Sequence, residues 1–371
     1  MTHQREVGAA LTAVVLALFV LGMLSTTAFL LSFRERKVGR KFVRFHQASA
    51  AADAGVYAPL TRWNAEVYNH LTIGSSSPFV GGMSDGTGSY SGFVTRLGAR
   101  LFLVTAKGTS ADSEVSQRAG SLFQLQPLDI EIAAALEIRG PLDIGESVRI
   151  AGADRVPASW SCPQAAGTLP GVKCPTADAT VPPWSGCQPS QCLQGDPAWD
   201  PDTSAIHVKS LDLVGATLGD LRAVAAHVLD GGIVKPQATE ANGICVTADT
   251  KNWGNPYDPL GSCGDHFPTV YSEGDLHAHS GYGQGVLVVE GDLTVSDGFR
   301  YFGVIIVVGS FNSVGMGSQI LGAVIVANQD FEPQTLGGMT RIQYSKCAVS
   351  RSLAGSGRGV LLRERSWLDL Y

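Results

Sequence analysis

The chain has 371 residues, 44% of them hydrophobic, which leaves room for a real core and about two domains beyond any anchor. A formal charge of −6 and a pI near 5.7 leave no long basic face to neutralise phosphates, which excludes a general nucleic-acid binder. Forty-four glycines, well above the usual ~7%, point to many tight turns and so to β architecture.

The first element is an uncharged run of 27 residues, Val7 to Phe33. At ~1.5 Å per residue it makes a helix of roughly 40 Å, enough to cross a bilayer with some tilt. Arg34, Arg36, Lys37, Arg40, Lys41 and Arg44 follow at once. Counted against Arg5, they would place the bulk of the chain inside the cell. The cysteines oppose that orientation, and the basic residues read as the continuation of one amphipathic helix. Val38, Phe42, Phe45, Ala48, Ala52, Val56, Leu60, Trp63 and Val67 recur at steps of three or four, so the helix is expected to span 9–70, with Gly55 and Pro59 as the place for a bend. Residues 1–8 form a short leader.

Residues 72–92, rich in Gly and Ser, read as a linker. A β region over 93–151 follows, with strands Phe93–Thr95 and Arg100–Lys107 turning at Leu97-Gly98-Ala99. The stretch 152–205 holds nine prolines and four cysteines and almost no periodicity. It reads as a disulfide-pinned excursion, part of an insertion over 152–268 whose one helix is Thr217–Leu229. Seven cysteines without a C-x₂-C pair fit disulfides in an oxidising compartment better than zinc. Proximity suggests Cys162–Cys174, Cys187–Cys192 and Cys245–Cys263, leaving Cys347 over, although six cysteines allow 15 connectivities.

Residues 269–371 carry the strongest pattern. VYSEGDL, LVVEGDL and IVVGSF place Gly274, Gly291 and Gly309 at spacings of 17 and 18, and GVLVV, GVIIVV and GAVIVA recur at 18 and 19. Such a period suits the coils of a β-solenoid. A meander of antiparallel hairpins with the same spacing is the alternative. EIRGPLDI (137–144) looks like a further copy, which would make the cysteine-rich region an insertion between coils, with the C-terminal RSWLDLY as part of a cap.

Candidate chemistry is sparse. Asp275, His277 and His279 alternate along a strand and could hold Zn²⁺ or a similar ion, with hydrogen bonding along the surface as the plainer reading. Asp196, Asp200 and Asp202 could offer oxygens to Ca²⁺ without the spacing of an EF-hand. There is no G-x-S-x-G elbow, the GYGQG glycines read as turn glycines, and the repeats present few acids. The reading is therefore no enzyme, no catalytic residue and no cofactor.

The first 56 residues resemble the N-terminal region of PilX-type minor pilins. The resemblance is carried by Arg5-Glu6-Val7-Gly8-Ala9-Ala10-Leu11, by the passage of the apolar helix into Ser32-Phe33-Arg34-Glu35-Arg36, and by Ala52-Asp53-Ala54-Gly55, similar to the family's Ala-Glu-Ala-Gly. It implies cleavage by a prepilin peptidase after Gly8, a mature chain starting at Ala9, and packing among other pilins or pseudopilins through Leu11, Val15, Leu18, Leu21 and Leu24. Major pilins carry a glutamate where this chain has Ala13, so the resemblance is to minor pilins and pseudopilins. The part after 240 resembles C-terminal regions of uncharacterised proteins with the same kind of start. The expected class is α+β: a long pilin-like transmembrane helix, then a β-rich extracytoplasmic head with solenoid-like repeats. The expected role is a minor pilin or pseudopilin of a type IV pilus or related secretion filament, in contact with membrane lipids and with no nucleic acid. A permanently anchored adhesin or scaffold is the alternative, and a solenoid carbohydrate-active enzyme a third.

Overall fold

The computed structural model describes residues 6–61, 63–69, 71–98, 100–126, 130–163, 167–174, 184–201, 217–328, 332–362 and 367–369. A long N-terminal apolar helix leads into a β-rich domain. Helix α1 runs Glu6–Thr61 without interruption through Gly55 and Pro59, and a single turn, α2 (Ala65–Tyr68), follows. The helix therefore stops short of residue 70.

Four antiparallel strands come next: β1 (Ser76–Gly82), β2 (Gly88–Arg96), β3 (Leu101–Ser110) and β4 (Ser116–Gln126). Residues 72–92 are thus not a linker, because Ser76 through Gly82 pair with Thr95 through Ser89. Their glycines seat aromatic rings instead of supplying flexibility. A Cβ on Gly81 would lie 2.4 Å from the Tyr90 ring, and one on Gly92 would lie 2.5 Å from Phe79. Composition alone hides a strand built this way, since glycine is depleted in ordinary strands.

The chain then enters a stack of short parallel strands: β5 (Leu136–Ile138), β6 (Leu142–Ile144), β7 (Arg149–Ala151), β8 (Val172–Lys173) and β9 (Trp184–Ser185). After α3 (Pro189–Cys192) come β10 (Leu193–Gln194) and β11 (Trp199–Asp200). Past α4 (Leu218–Ala223) lie β12 (His227–Leu229), β13 (Gly232–Val234) and a small hairpin of β14 (Glu240–Ala241) and β15 (Ile244–Cys245). The helix expected over Thr217–Leu229 ends at Ala223, because His227–Leu229 pairs in parallel with Val270–Ser272.

From there strands alternate between two sheets: β16 (Thr269–Ser272) and β17 (Leu276–His279), β18 (Tyr282–Val289) and β19 (Leu293–Ser296), β20 (Arg300–Val307) and β21 (Phe311–Ser313), β22 (Gln319–Val326) and β23 (Gln334–Leu336). β24 (Arg341–Tyr344) closes the series. Each pair makes one rung. The even-numbered strands build one parallel sheet and the odd-numbered strands the other.

The stacking order departs from the sequence order. EIRGPLDI supplies β5 and β6, which lie against β22 and β23, beyond the last C-terminal rung and not before the first. β7 pairs with β24, and β8 to β11 extend the stack further. The proline-rich segment is therefore part of the ladder and not an insertion between rungs. Parallel neighbours are joined by long crossover connections and not by tight turns, so a ladder begun at β12 can be completed by strands earlier in the chain.

After β24, helix α5 (Lys346–Gly355) leads to β25 (Arg358–Leu361) and β26 (Trp367–Asp369), and both strands pair with β4. The segment expected to cap the repeats thus belongs to the antiparallel sheet.

Two cores result. Between the parallel sheets lie Leu136, Ile138, Leu287, Val289, Leu293, Ile305, Val307, Phe311 and Val324, all fully buried. Alternate residues of the same long strands (Val286, Val288, Val304, Ile306) join Val56, Trp63, Phe102 and Phe123 in a second core shared with α1 and the antiparallel sheet. Burial on both faces explains the unbroken aliphatic runs of β18, β20 and β22. Gly285, Gly303 and Gly322 stand in one cross-strand row, at φ of 109°, 149° and 147°. A Cβ at Gly303 would meet the Gly285 carbonyl oxygen at 2.0 Å and the Ser352 hydroxyl of α5 at 2.4 Å.

Disulfides join Cys162–Cys347, Cys187–Cys192 and Cys245–Cys263. The expected Cys162–Cys174 pair does not form. Cys162 meets Cys347 where the two parts of the ladder abut, beside the hydrogen bond from the Lys346 N–H to Asp154. Cys174 is instead a buried thiol whose pKa burial pushes up to about 11.

Candidate assembly surface

Helix α1 changes character along its length. From Leu11 to Phe45 its apolar side chains stand exposed; Leu11, Val15, Leu18, Leu21 and Leu24 each leave 59–70% of their surface open. Gly8 and Ala9 lie in the helical backbone. Residues 13–61 include a window long and apolar enough to cross a membrane, none of it buried in the molecule. From Ala48 onward the helix is a spine, with Ala48, Ala51, Ala52 and Val56 fully or almost fully buried.

The spine sits unusually close to its sheet, and the small residues are the reason. A Cβ on Gly108 would fall 2.1 Å from the Ala52 nitrogen and 2.2 Å from the Ala48 carbonyl oxygen, and one on Gly55 would fall 2.8 Å from the Ala106 Cβ. Of the Ala52-Asp53-Ala54-Gly55 motif, Ala52 and Gly55 are at this contact, Ala54 is half-buried and Asp53 is exposed. The motif is thus a packing device.

At the start of the spine, Arg44 is held by Asp112 and Glu114 from the β3–β4 turn. The Asp112 carboxyl lies below the usual carboxylate range, chiefly through the Ser110 hydroxyl, then through the Glu114 N–H and Arg44. Among the described residues, the other five cations of the 34–44 segment have no ion-pair partner.

A groove of about 520 Å³ opens between the upper part of α1 and the β1–β2 hairpin, lined by Tyr57, Pro59, Tyr68, Phe79, Val80 and Tyr90. Reasoning from sequence passed over these residues. The signal that could have found them is Phe79 and Tyr90, two rings inside a Gly/Ser stretch.

The metal candidates do not gather. Asp275 precedes β17, and its Oδ1 accepts the Asp292 N–H at 2.9 Å, just as Asp292 accepts the Ser310 N–H at 2.7 Å. These carboxylates tie successive turns together. His277 and His279 share the Ser296 hydroxyl at 2.8 and 3.2 Å, and His279 lies 3.0 Å from Asp297. Among the described residues no three His, Cys, Asp or Glu side chains form a metal-binding group. Asp196 and Asp200 are described, whereas Asp202 lies outside the described residues.

No family model matches the chain, and no curated protein is similar to it in sequence. Among solved structures it is similar to the crystal structure of the competence-associated pilin ComZ from Thermus thermophilus, at 12% identity, covering 88% of this chain and 97% of that one, with a TM-score of 0.20. A score that low leaves the two without a common superposition, so no property of ComZ passes to this chain.

Proposed function

We propose that the chain is a filament subunit of the minor pilin or pseudopilin class, held in a membrane by α1 before assembly and contributing to filament initiation or assembly. One observation carries the reading. A single unbroken helix is bare and apolar from Leu11 to Phe33 and, from Ala48 onward, is the buried spine of an antiparallel sheet. A soluble protein gains nothing from roughly 40 Å of exposed apolar helix, whereas a subunit that leaves a bilayer for a bundle of like helices needs just such a rod. The resemblance of residues 5–11 and 52–55 to PilX-type minor pilins supports the same reading. Three disulfides favour an extracytoplasmic head.

The parallel rungs are read as a β-solenoid displayed on the pilin-like base. Cleavage by a prepilin peptidase after Gly8 belongs to the proposal, as do contacts with other pilins through Leu11, Val15, Leu18, Leu21 and Leu24. Gly8→Leu is expected to leave the chain uncut and to reduce its share of the sheared filament fraction at least tenfold. Unchanged maturation and assembly in that variant would contradict the proposal.

A further inference from the structure

The antiparallel sheet has a second face, turned away from α1, that the proposed function leaves unused. Side chains alternate along a strand. Ala106 and Gly108 lie against the helix, so Lys107 points the other way, as do Ser91, Phe93, Thr105 and Arg118. These five border a groove of about 500 Å³ whose floor includes Gly92 and Ala106. Val80 stands opposite Ser91 on the edge strand β1. It is 82% exposed and Phe93 is 52% exposed, although both are apolar.

The charge of this face asks for an explanation. Ser91, Lys107 and Arg118 form one cross-strand row, which sets two cations directly opposite each other. Like charges in that relation oppose sheet formation. Among the described residues neither cation has an ion-pair partner. Strands β1 to β4 include no Asp or Glu, although the whole chain has a formal charge of −6. The turns do hold acids, but these are engaged elsewhere. Asp112 and Glu114, in a turn that begins about 13 Å along β3 from Lys107, hold Arg44. Asp85 accepts the Thr87 N–H and hydroxyl. The counter-charge for the row therefore comes from outside the molecule.

Its source can be narrowed. The sheet meets α1 at Ala48 and Ala52, about 25 Å past Phe33, which is out of reach of lipid headgroups at the end of the apolar run. Two cations are too few to hold a nucleic-acid backbone. A second copy presenting the same face would set cation against cation. A free small anion gains little from two solvated cations, since exposed ion pairs contribute under ~1 kcal/mol each. A carboxylate carried by a protein covers Phe93 and Val80 in the same step and adds apolar burial to the charge.

We propose that this face docks an acidic, partly apolar peptide segment of another protein, with a carboxylate between Lys107 and Arg118 and an apolar side chain against Phe93. The site lies on the head's own sheet, so it stands whether or not α1 enters a filament.

The test uses the full-length protein in detergent and a fluorescein-labelled heptapeptide of alternating Glu and Leu, with binding read by fluorescence anisotropy. A heptapeptide of alternating Gln and Leu is the uncharged comparison. The expected affinity for the Glu–Leu peptide is at least fivefold above that for the Gln–Leu peptide, and it falls with added salt. Lys107→Gln/Arg118→Gln should weaken Glu–Leu binding at least fivefold and Phe93→Ser at least threefold. Lys235→Gln/Arg341→Gln, which removes two cations exposed outside the groove, should change it less than twofold. Without peptide, Lys107→Gln should raise the denaturant midpoint, because it relieves the repulsion across β3 and β4. A lower midpoint would overturn the proposal by showing that the cation serves the fold. Equal binding of the two peptides, equal loss in both double variants, or no binding at millimolar peptide would also overturn it. Inorganic tripolyphosphate binding more tightly than the peptide, through the same two cations, would overturn it in favour of a phosphate ligand.

Discussion

Gly108 fixes how far α1 stands from its sheet. Any side chain there meets the backbone of Ala48 and Ala52, which cannot swing aside as a flexible side chain would. Gly108→Ala is expected to cost about 1–3 kcal/mol through overpacking. Gly39 has nothing within 4 Å of its Cβ direction, so Gly39→Ala should be neutral or should stabilise by up to about 1 kcal/mol through helix propensity. Denaturant midpoints of the two variants, followed by tryptophan fluorescence, would show the contrast. His227 makes a second residue-scale case. Burial holds its pKa below the ordinary value of 6.5, with the Asn252 backbone and Asp249 pulling the other way. The unfolded chain therefore binds a proton before the folded one does, and His227 opposes folding as pH falls below about 6.5. His227→Gln should flatten that part of the stability–pH curve, and an unchanged slope would show that other groups dominate it.

Among the elements, the Cys162–Cys347 disulfide crosses the place where the two parts of the ladder meet without a continuous backbone. It closes a separation of 185 residues, against 5 for Cys187–Cys192. On the chain-entropy account these are worth about 5 and about 2 kcal/mol. The Cys162→Ser/Cys347→Ser double variant should lose about 3 kcal/mol more stability than Cys187→Ser/Cys192→Ser, read from thermal or denaturant unfolding. Cys162 found its partner through rung order, which is invisible in the sequence. The period of 17–19 and the glycines at the strand starts were legible, because every rung repeats the same turn and the same approach of backbone to backbone at Gly285, Gly303 and Gly322. Which rungs adjoin was not, since β5 to β11 join the ladder by position in space. The β1–β2 hairpin was hidden for a different reason: its glycines are seats for Tyr90 and Phe79. The groove beside that hairpin was missed with it.

For the whole molecule, the stacking order makes the two stretches of the chain depend on each other. β5, β6 and β7 have β22, β23 and β24 as their partners, so a chain ending at residue 216 should fail to form the 136–200 strands. The loss would show as reduced β signal in circular dichroism and rapid amide exchange across that segment. Protected amides there would mean that the early strands fold on their own. The antiparallel sheet also draws β25 and β26 from beyond the ladder, and the α1-bearing base and the rungs share one core. Under the proposed function, the base and rungs ride on a rod that leaves the membrane and enters a filament. The most direct test is the intact mass and N-terminal residue of the protein recovered from its native membrane. A chain beginning at Ala9 is the predicted result. A chain still beginning at Met1 or Thr2 would contradict the account and mark α1 as a plain anchor.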